Sequence, residues 1–286
     1  MKVFVTAGTG VVGTALTAEL RSREAEVSVL TRDADKAAAL PAGVRGVVGD
    51  LLDFELVRTE FAAADAVFLN LPVGAEELYQ GILAVDAAKR AEVKHLVYLS
   101  AQDVETMVTA PYCAGKATIE QALKDSGVPY TIIRRGELMQ NDIGAKQMLD
   151  MGIYGIPFGE IGVSRVDVRD VAEAAAIVLT TPGHLGETYT VTGPEPVTGR
   201  FVAETWKRVL DSEVAYVGDD LDSCWQILNQ MMPSHIARDI WLMYEHYDHH
   251  GHVAAEDDVV RATKLLGHPP RSFTEFAEET AAAWKS

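Results

Sequence analysis

Eight residues constrain this chain more than any others: Thr6-Ala-Gly-Thr-Gly-Val-Val-Gly13. They join an apolar run, Lys2–Thr6, to a stretch of 3.6-residue periodicity, Val11–Arg23. Gly8, Gly10 and Gly13 spell G-x-G-x-x-G, and Thr9, Val11 and Val12 complete the loop. A strand that turns at once into a helix needs a residue without Cβ at the turn. A second glycine lets the backbone approach a ligand, and a third lets helix and strand pack closely. The helix N-terminus then presents unpaired N–H groups and the positive end of its dipole, which favour a pyrophosphate. The loop therefore predicts a dinucleotide at the start of an α/β fold.

The rest of the first half keeps that rhythm. Short apolar runs recur at Glu26–Leu30, Val44–Val48, Ala66–Asn70, Lys94–Leu99 and Tyr130–Arg134, separated by helical patterns such as Glu76–Arg90. Continuous apolar strands between helices indicate a doubly wound parallel sheet covered on both faces. After Gly136 the rhythm breaks. Gly152, Gly155, Pro157, Gly159 and Gly162 suggest loops shaping a cleft. Val163–Val168 and Glu187–Val191 read as further strands, Asp170–Leu179 as a helix, and Phe201–Arg261 as a helical cap. Residues 1–150 are thus expected to form the dinucleotide-binding core, with 163–192 adding strands and a helix. Residues 151–286 are expected to form a smaller, mostly helical substrate cap, interleaved with the core.

Composition narrows the partners. The 286 residues carry a formal net charge of −17, which repels a phosphate backbone and argues against direct nucleic-acid binding. An anionic ligand needs a local basic pocket. Two cysteines, Cys113 and Cys224, make no disulfide framework and fit reduced thiols in a cytoplasmic protein. No signal peptide is recognised, and no apolar run approaches ~18 residues, so no membrane association is expected.

The end of the second strand bears on cofactor choice. An acid there suits the ribose 2′-hydroxyl of NAD, whereas arginine accommodates the 2′-phosphate of NADP. This chain has Leu30-Thr-Arg-Asp33. Arg32, helped by Lys36, favours NADP(H); Asp33 leaves NAD(H) open.

Together, Thr6–Gly13, Leu30-Thr-Arg32 and Gly49-Asp-Leu51 resemble the NmrA-like atypical short-chain dehydrogenase/reductases. Ser126–Gly136, Val166–Val171 and Leu265–Phe273 extend the resemblance over most of the chain, least clearly over residues 200–250. It implies a Rossmann fold with the cofactor along the C-terminal strand edge. Asp50 and Leu51 would flank the adenine, Asn70, Leu71 and Pro72 would line the cofactor's middle, and Ser100 would sit near the nicotinamide. The chain departs from the family pattern twice. Ala7 and Gly8 exchange the usual Gly-Ala order, and Arg135 stands where proline is common.

Tyr112-Cys-Ala-Gly-Lys116 spells Tyr-x-x-x-Lys, which places both side chains on one helix face. A lysine beside a tyrosine favours the phenolate, so Tyr112 could exchange a proton with a substrate oxygen. Lys116 could also hold the nicotinamide ribose, and Ser100 could hydrogen-bond the substrate. Cys113 reads as a packing residue. His246, His249, His250 and His252 match no closed zinc pattern and read as a polar loop of the cap, with no metal expected. Trp206, Trp225, Met231, Met232, Trp241, Met243, Tyr244 and Tyr247 read mostly as cap core, a few of them lining an apolar pocket.

Three functions stay open. One is an NADP(H)-dependent oxidoreductase acting on a small aromatic, quinone or carbonyl substrate. Another is an NAD(P)-binding redox sensor with a protein partner and no turnover. The third is a biosynthetic enzyme that oxygenates or isomerises an aromatic polyketide. The oligomeric state is open too, a homo-oligomer included.

Overall fold

The computed structural model describes residues 1–285. Its first half runs β1 (Lys2–Val5), α1 (Val11–Ser22), β2 (Glu26–Thr31), α2 (Ala34–Ala38), β3 (Arg45–Val48), α3 (Phe54–Ala62), β4 (Ala66–Leu69), α4 (Glu77–Arg90), β5 (Leu96–Ala101), α5 (Pro111–Ser126) and β6 (Tyr130–Arg135). The six apolar runs become six strands, their ends moved by a residue or two. Then follow β7 (Glu137–Leu138), α6 (Asn141–Gly144), α7 (Lys146–Asp150), β8 (Ile153–Tyr154), β9 (Val163–Val166), α8 (Val168–Thr180) and β10 (Thr188–Val191). The chain ends with β11 (Pro196–Val197), α9 (Gly199–Leu210), β12 (Ala215–Tyr216), α10 (Leu221–Met231), α11 (Ser234–His250), α12 (Glu256–Leu266) and α13 (Phe273–Lys285).

The main sheet has seven strands in the order β10-β6-β5-β4-β1-β2-β3. It is a Rossmann-like parallel sheet. The β1–β2 register pairs Val3 with Val27 and Val5 with Val29, and β1–β4 pairs Val3 with Ala66. The order reverses between β1 and β4. Successive crossovers leave in opposite directions there, which opens a crevice at the C-terminal strand ends. Strands buried on both faces cannot alternate apolar with polar, and Ala66, Val67, Phe68 and Leu69 are all fully buried. Phe4 meets Phe61 edge-on at 5.7 Å between ring centroids. Each such burial contributes about 1.5–3 kcal/mol.

The chain divides into two compact units. The first comprises Met1–Glu105, Tyr112–Arg134 and Val168–Tyr189; the second comprises Thr106–Pro111, Arg135–Asp167 and the chain from Thr190 onward. One expectation needs correction. Val163–Val166 is a strand, but it does not extend the main sheet. It lies in a separate three-stranded sheet of order β11-β9-β7. Its apolar residues mark a buried strand without specifying a partner, and here β9 pairs antiparallel with β11 and parallel with β7. The glycine-rich segment after Gly152 contains β8, which pairs with β12 in a two-stranded sheet.

A buried polar knot organises the second unit. Arg165 and Asp142 are 1% and 0% exposed, and Arg165 donates Nη2 to Asp142 Oδ1 at 2.8 Å and Nη1 to Oδ2 at 3.1 Å. Trp206 Nε1 donates to Asp142 Oδ2 at 2.9 Å, and the Tyr154 hydroxyl donates to Oδ1 at 3.2 Å. The guanidinium lies between the Phe158 and Phe273 rings, at 5.0 and 4.9 Å. Trp206 stacks on Trp284 at 5.1 Å, so it belongs to the core. Trp225 and Trp241 are only partly buried, and the Arg238 guanidinium covers Trp241 at 4.1 Å. His246, His249 and His250 lie on the last turns of α11 rather than in a loop. Among the described residues, no helix is long and apolar enough to cross a membrane.

Candidate functional site

The crevice beside the glycine loop is a cavity of ≈ 640 Å³, within the usual range for cofactor sites. Its walls come from consecutive strand ends. Ala7, Thr9 and Gly10 follow β1; Thr31, Arg32, Asp33 and Lys36 follow β2; Gly49, Asp50 and Leu51 follow β3; Asn70, Leu71 and Pro72 follow β4. Leu30 and Gln80 also contribute. Thr6 fixes the spacing between the two central strands. Its hydroxyl donates to the Asn70 carbonyl at 2.5 Å and accepts from the Asn70 N–H at 2.9 Å.

Each glycine of the loop has its own reason. A Cβ on Gly13 would stand 2.4 Å from Gly8 Cα and 2.6 Å from the Ala7 carbonyl oxygen, both backbone atoms that cannot yield. A Cβ on Gly8 would meet Val29 Cγ1 at 2.5 Å. The exchanged order of Ala7 and Gly8 follows from this contact. Gly8 must stay bare because of Val29, while Ala7 takes the left-handed turn itself, at φ +46°. Gly10 caps α1 without a side-chain hydrogen bond, and the first turn of α1 holds no acidic residue. Its N–H groups are thus left for an anion, as a pyrophosphate requires.

The β2 end separates two neighbouring charges. Asp33 is the N-cap of α2: its Oδ1 accepts from the N–H groups of Asp35 at 2.9 Å and Lys36 at 3.1 Å. Its carboxylate is engaged in starting a helix. Arg32 is 68% exposed, with Nη1 3.9 Å from Asp50 Oδ2. It contributes to the cavity wall with Lys36. Asp50 also turns its own loop, accepting from Leu52 N at 2.9 Å. The bare glycine cradle, the uncapped helix start and a cation on the wall fit a phosphorylated dinucleotide.

A sequence profile described as the NmrA-like family matches residues 1–277. The chain belongs to the NmrA-like family. It is similar to an NAD(P)H azoreductase of Xenophilus azovorans, 31% identical over 99% of both chains. It is also similar to a (4-alkanoyl-5-oxo-2,5-dihydrofuran-3-yl)methyl phosphate reductase of Streptomyces griseus, 31% identical over 99% of both. Among solved structures it resembles an NADPH-dependent quinone oxidoreductase of Escherichia coli complexed with NADPH. That match has a TM-score of 0.87 at 23% identity, covering 97% of this chain and 99% of the other.

The three residues expected to carry chemistry lie on β5 and α5, outside the set lining the cavity. Ser100 is fully buried. Its hydroxyl faces Glu120, whose carboxyl lies below its usual range. Burial raises Glu120, but hydrogen bonds from Arg134 and the nearby Ser100 hydroxyl, with the Arg134 and Lys124 charges, outweigh it, although the Ser100 Oγ itself lacks a partner within hydrogen-bonding geometry among the described residues. Lys116 is also buried. Its Nζ donates to the Leu99 carbonyl at 3.2 Å and pairs with Glu77 Oε1 at 2.9 Å. Burial pulls the ammonium down, yet Tyr112, Tyr98 and Glu77 around it hold it above its usual range. The Lys116 Nζ stands 5.0 Å from the centre of the Tyr112 ring and 5.4 Å from that of Tyr98. Tyr112 itself is half-buried, and Cys113 beside it is fully packed.

Sequence reasoning did not single out Glu77 and Gln80. Both lie on the buried face of α4, three residues apart, among Gly81, Ala84 and Ala88. Two polar side chains inside an apolar helical stripe were the available signal. The N-cap role of Asp33 was also legible, since an aspartate directly before a short helical pattern is a cap signature.

Proposed function

We propose that the chain is an NADPH-preferring reductase of small aromatic acceptors of the quinone or azo type. The coarser class, an NAD(P)H-dependent oxidoreductase of the atypical short-chain dehydrogenase/reductase type, rests on its family and on reductases that match it end to end. The observation that carries the cofactor preference is the division of labour at the β2 end. Arg32 and Lys36 border the cavity, while the Asp33 carboxylate is held by α2. A ribose 2′-hydroxyl finds no ready acceptor in Asp33, whereas a 2′-phosphate finds a guanidinium, which pairs with it by charge-assisted bonds.

When bound, the nicotinamide supplies a hydride. The chain's own residues bind, orient and protonate. The backbone N–H groups at the start of α1 hold the pyrophosphate, Arg32 the 2′-phosphate, and Asn70–Pro72 the middle of the cofactor. Of the three catalytic candidates, Tyr112 alone has a side chain that reaches the surface, so the proton delivered to substrate oxygen or nitrogen is assigned to its hydroxyl. Ser100 and Lys116 act behind it as positioning residues. Lys116 keeps a positive charge beside the Tyr112 ring. The azo and quinone acceptors named for the relatives motivate the substrate class.

The test is consumption of reduced nicotinamide against a panel of quinones, azo dyes and simple carbonyls, with NADPH and NADH in parallel. Turnover of quinones or azo dyes with NADPH favoured is expected. Tight NADPH binding without turnover of any acceptor would overturn the enzyme reading in favour of a redox sensor. Unchanged turnover by Tyr112→Phe would remove Tyr112 from the chemistry and leave the reductase standing.

A further inference from the structure

We infer that Gln80 reads the adenine of the bound dinucleotide, its Oε1 accepting a hydrogen bond from the 6-amino group. The inference rests on the dinucleotide reading of the cavity and goes on to say which end of the ligand this wall recognises.

Gln80 is 3% exposed, lines the cavity, and its Oε1 has no hydrogen-bond partner. A buried amide oxygen left unpaired keeps its desolvation uncompensated, which makes it a place where a ligand donor is expected. The helix offers a reason for the position. Gly81, next to it, lies against Ile119 and Leu71 so closely that a Cβ would meet Ile119 Cδ1 at 2.4 Å and Leu71 Cδ1 at 3.0 Å. This contact seats α4 on the crevice with Gln80 at its edge. Rotation about the last side-chain torsion of glutamine is soft, so the amide can turn its oxygen or its nitrogen to the cavity without moving the helix.

The position along the ligand follows from the neighbours of Gln80. The cavity is bounded by the ends of β1, β2, β3 and β4, and its lining includes no residue of β5. The β2 and β3 ends are where Arg32 meets a 2′-phosphate and where Asp50 and Leu51 flank a base. Gln80 therefore shares its space with the adenosine half of the dinucleotide. That half offers few donors: the ribose hydroxyls and the 6-amino group. Asp50, the other acceptor at the base, already receives Leu52 N–H and lies near the Arg32 guanidinium. A carboxamide matches adenine in particular, because it can accept from the 6-amino group and donate to the adjacent ring nitrogen together.

The experiment measures dissociation constants by quenching of protein fluorescence for NADPH and for its purine analogue, in which a hydrogen replaces the 6-amino group, so that neither face of the amide finds a partner there. The wild-type chain should bind NADPH about tenfold more tightly than the analogue, the scale of one buried hydrogen bond. Gln80→Leu should bind NADPH about tenfold more weakly and lose the preference. Gln80→Glu, which keeps an acceptor, should retain it. The preference is a ratio within one variant, so a partly inactive preparation does not distort it. Equal wild-type binding of the two nucleotides would overturn the inference without reference to any variant. So would a Gln80→Leu variant that discriminates as the wild type does, or one that weakens both ligands equally, which would point to a ribose hydroxyl. Failure of the wild-type chain to bind either NADPH or NADH would instead overturn the dinucleotide reading itself.

Discussion

Lys116 and Glu77 form an ion pair at 2.9 Å in which both side chains are less than a tenth exposed. A charge so deeply placed is tolerable only while its partner remains. Glu77→Ala should therefore cost about 3–5 kcal/mol of stability. Replacing both partners with apolar residues, Glu77→Leu with Lys116→Met, should cost clearly less than the single change. Urea denaturation of the wild type and these two variants measures this. A single variant as stable as the wild type would show that the pair carries little.

Arg32 and Asp33 should separate cleanly in function. Arg32→Ala is expected to weaken NADPH by about ten- to a hundredfold, the range of a charge-assisted hydrogen bond, while NADH changes by less than about twofold. Asp33→Ala should cost about 0.5–2 kcal/mol through the lost cap and leave the ratio of NADPH to NADH affinity unchanged. Calorimetric titration of both nucleotides reads the first effect and thermal unfolding the second.

Ala7 sits at φ +46°, where a Cβ costs about 1–2 kcal/mol. Ala7→Gly should relieve that strain and lose part of the gain to the greater freedom of glycine in the unfolded chain. A net stabilisation of about 0.5–1 kcal/mol in chemical denaturation is expected. Gly13→Ala runs the other way. Its Cβ would press on the backbone of Ala7 and Gly8, so it should destabilise by about 1–3 kcal/mol and abolish nucleotide binding.

His95 supplies a pH dependence with a definite sign. Its Nε2 lies 2.8 Å from the Thr131 hydroxyl, which donates its own proton to the His184 carbonyl. The ring nitrogen must therefore be the donor. Burial, and then the proximity of His184, lower this imidazole from 6.5 to about 4. The folded state resists the proton that the unfolded state accepts. The stabilisation is therefore complete above about pH 6.5 and is lost as pH falls toward about 4. The whole effect is at most about 3 kcal/mol, less for a ring partly open to water. Denaturation midpoints measured across that interval should fall, and His95→Gln should flatten the slope.

In the second unit, Asp142→Ala should be as damaging as Glu77→Ala. It removes the acceptor of Arg165, Trp206 and Tyr154 together and strands a buried guanidinium. A loss of about 3–5 kcal/mol is expected, with weakened near-ultraviolet circular dichroism as Trp206 loses its anchor. Asp142→Asn, which keeps one carbonyl oxygen, should lose less.

The sequence carried the sheet and the glycine loop well because both rest on short-range patterns. Apolar runs such as Ala66–Leu69 fit strands buried on both faces, while Gly13 has no substitute where backbone meets backbone and Gly8 none against Val29. Pairing was less legible. Val163–Val166 reads as a strand, yet its partners, Glu137–Leu138 and Pro196–Val197, are two-residue strands without any apolar run. Nothing local to β9 identifies them. The site divided in the same way. Arg32, Lys36, Asp50, Leu51 and Asn70–Pro72 follow strand ends and line the cavity. Gln80 and Glu77 come from the middle of a crossover helix, where their significance depends on what the fold brings opposite them.

The cap formed by Asp33 has a practical consequence for redesign. A carboxylate at the end of the second strand suits the ribose 2′-hydroxyl of NADH. In this chain the Asp33 carboxylate is already committed, and reorienting it would strip the N-cap from the five-residue helix it starts. On the proposed NADPH preference, cofactor conversion calls for a new acid at Arg32 with Asp33 left untouched, since Asp33 answers to folding.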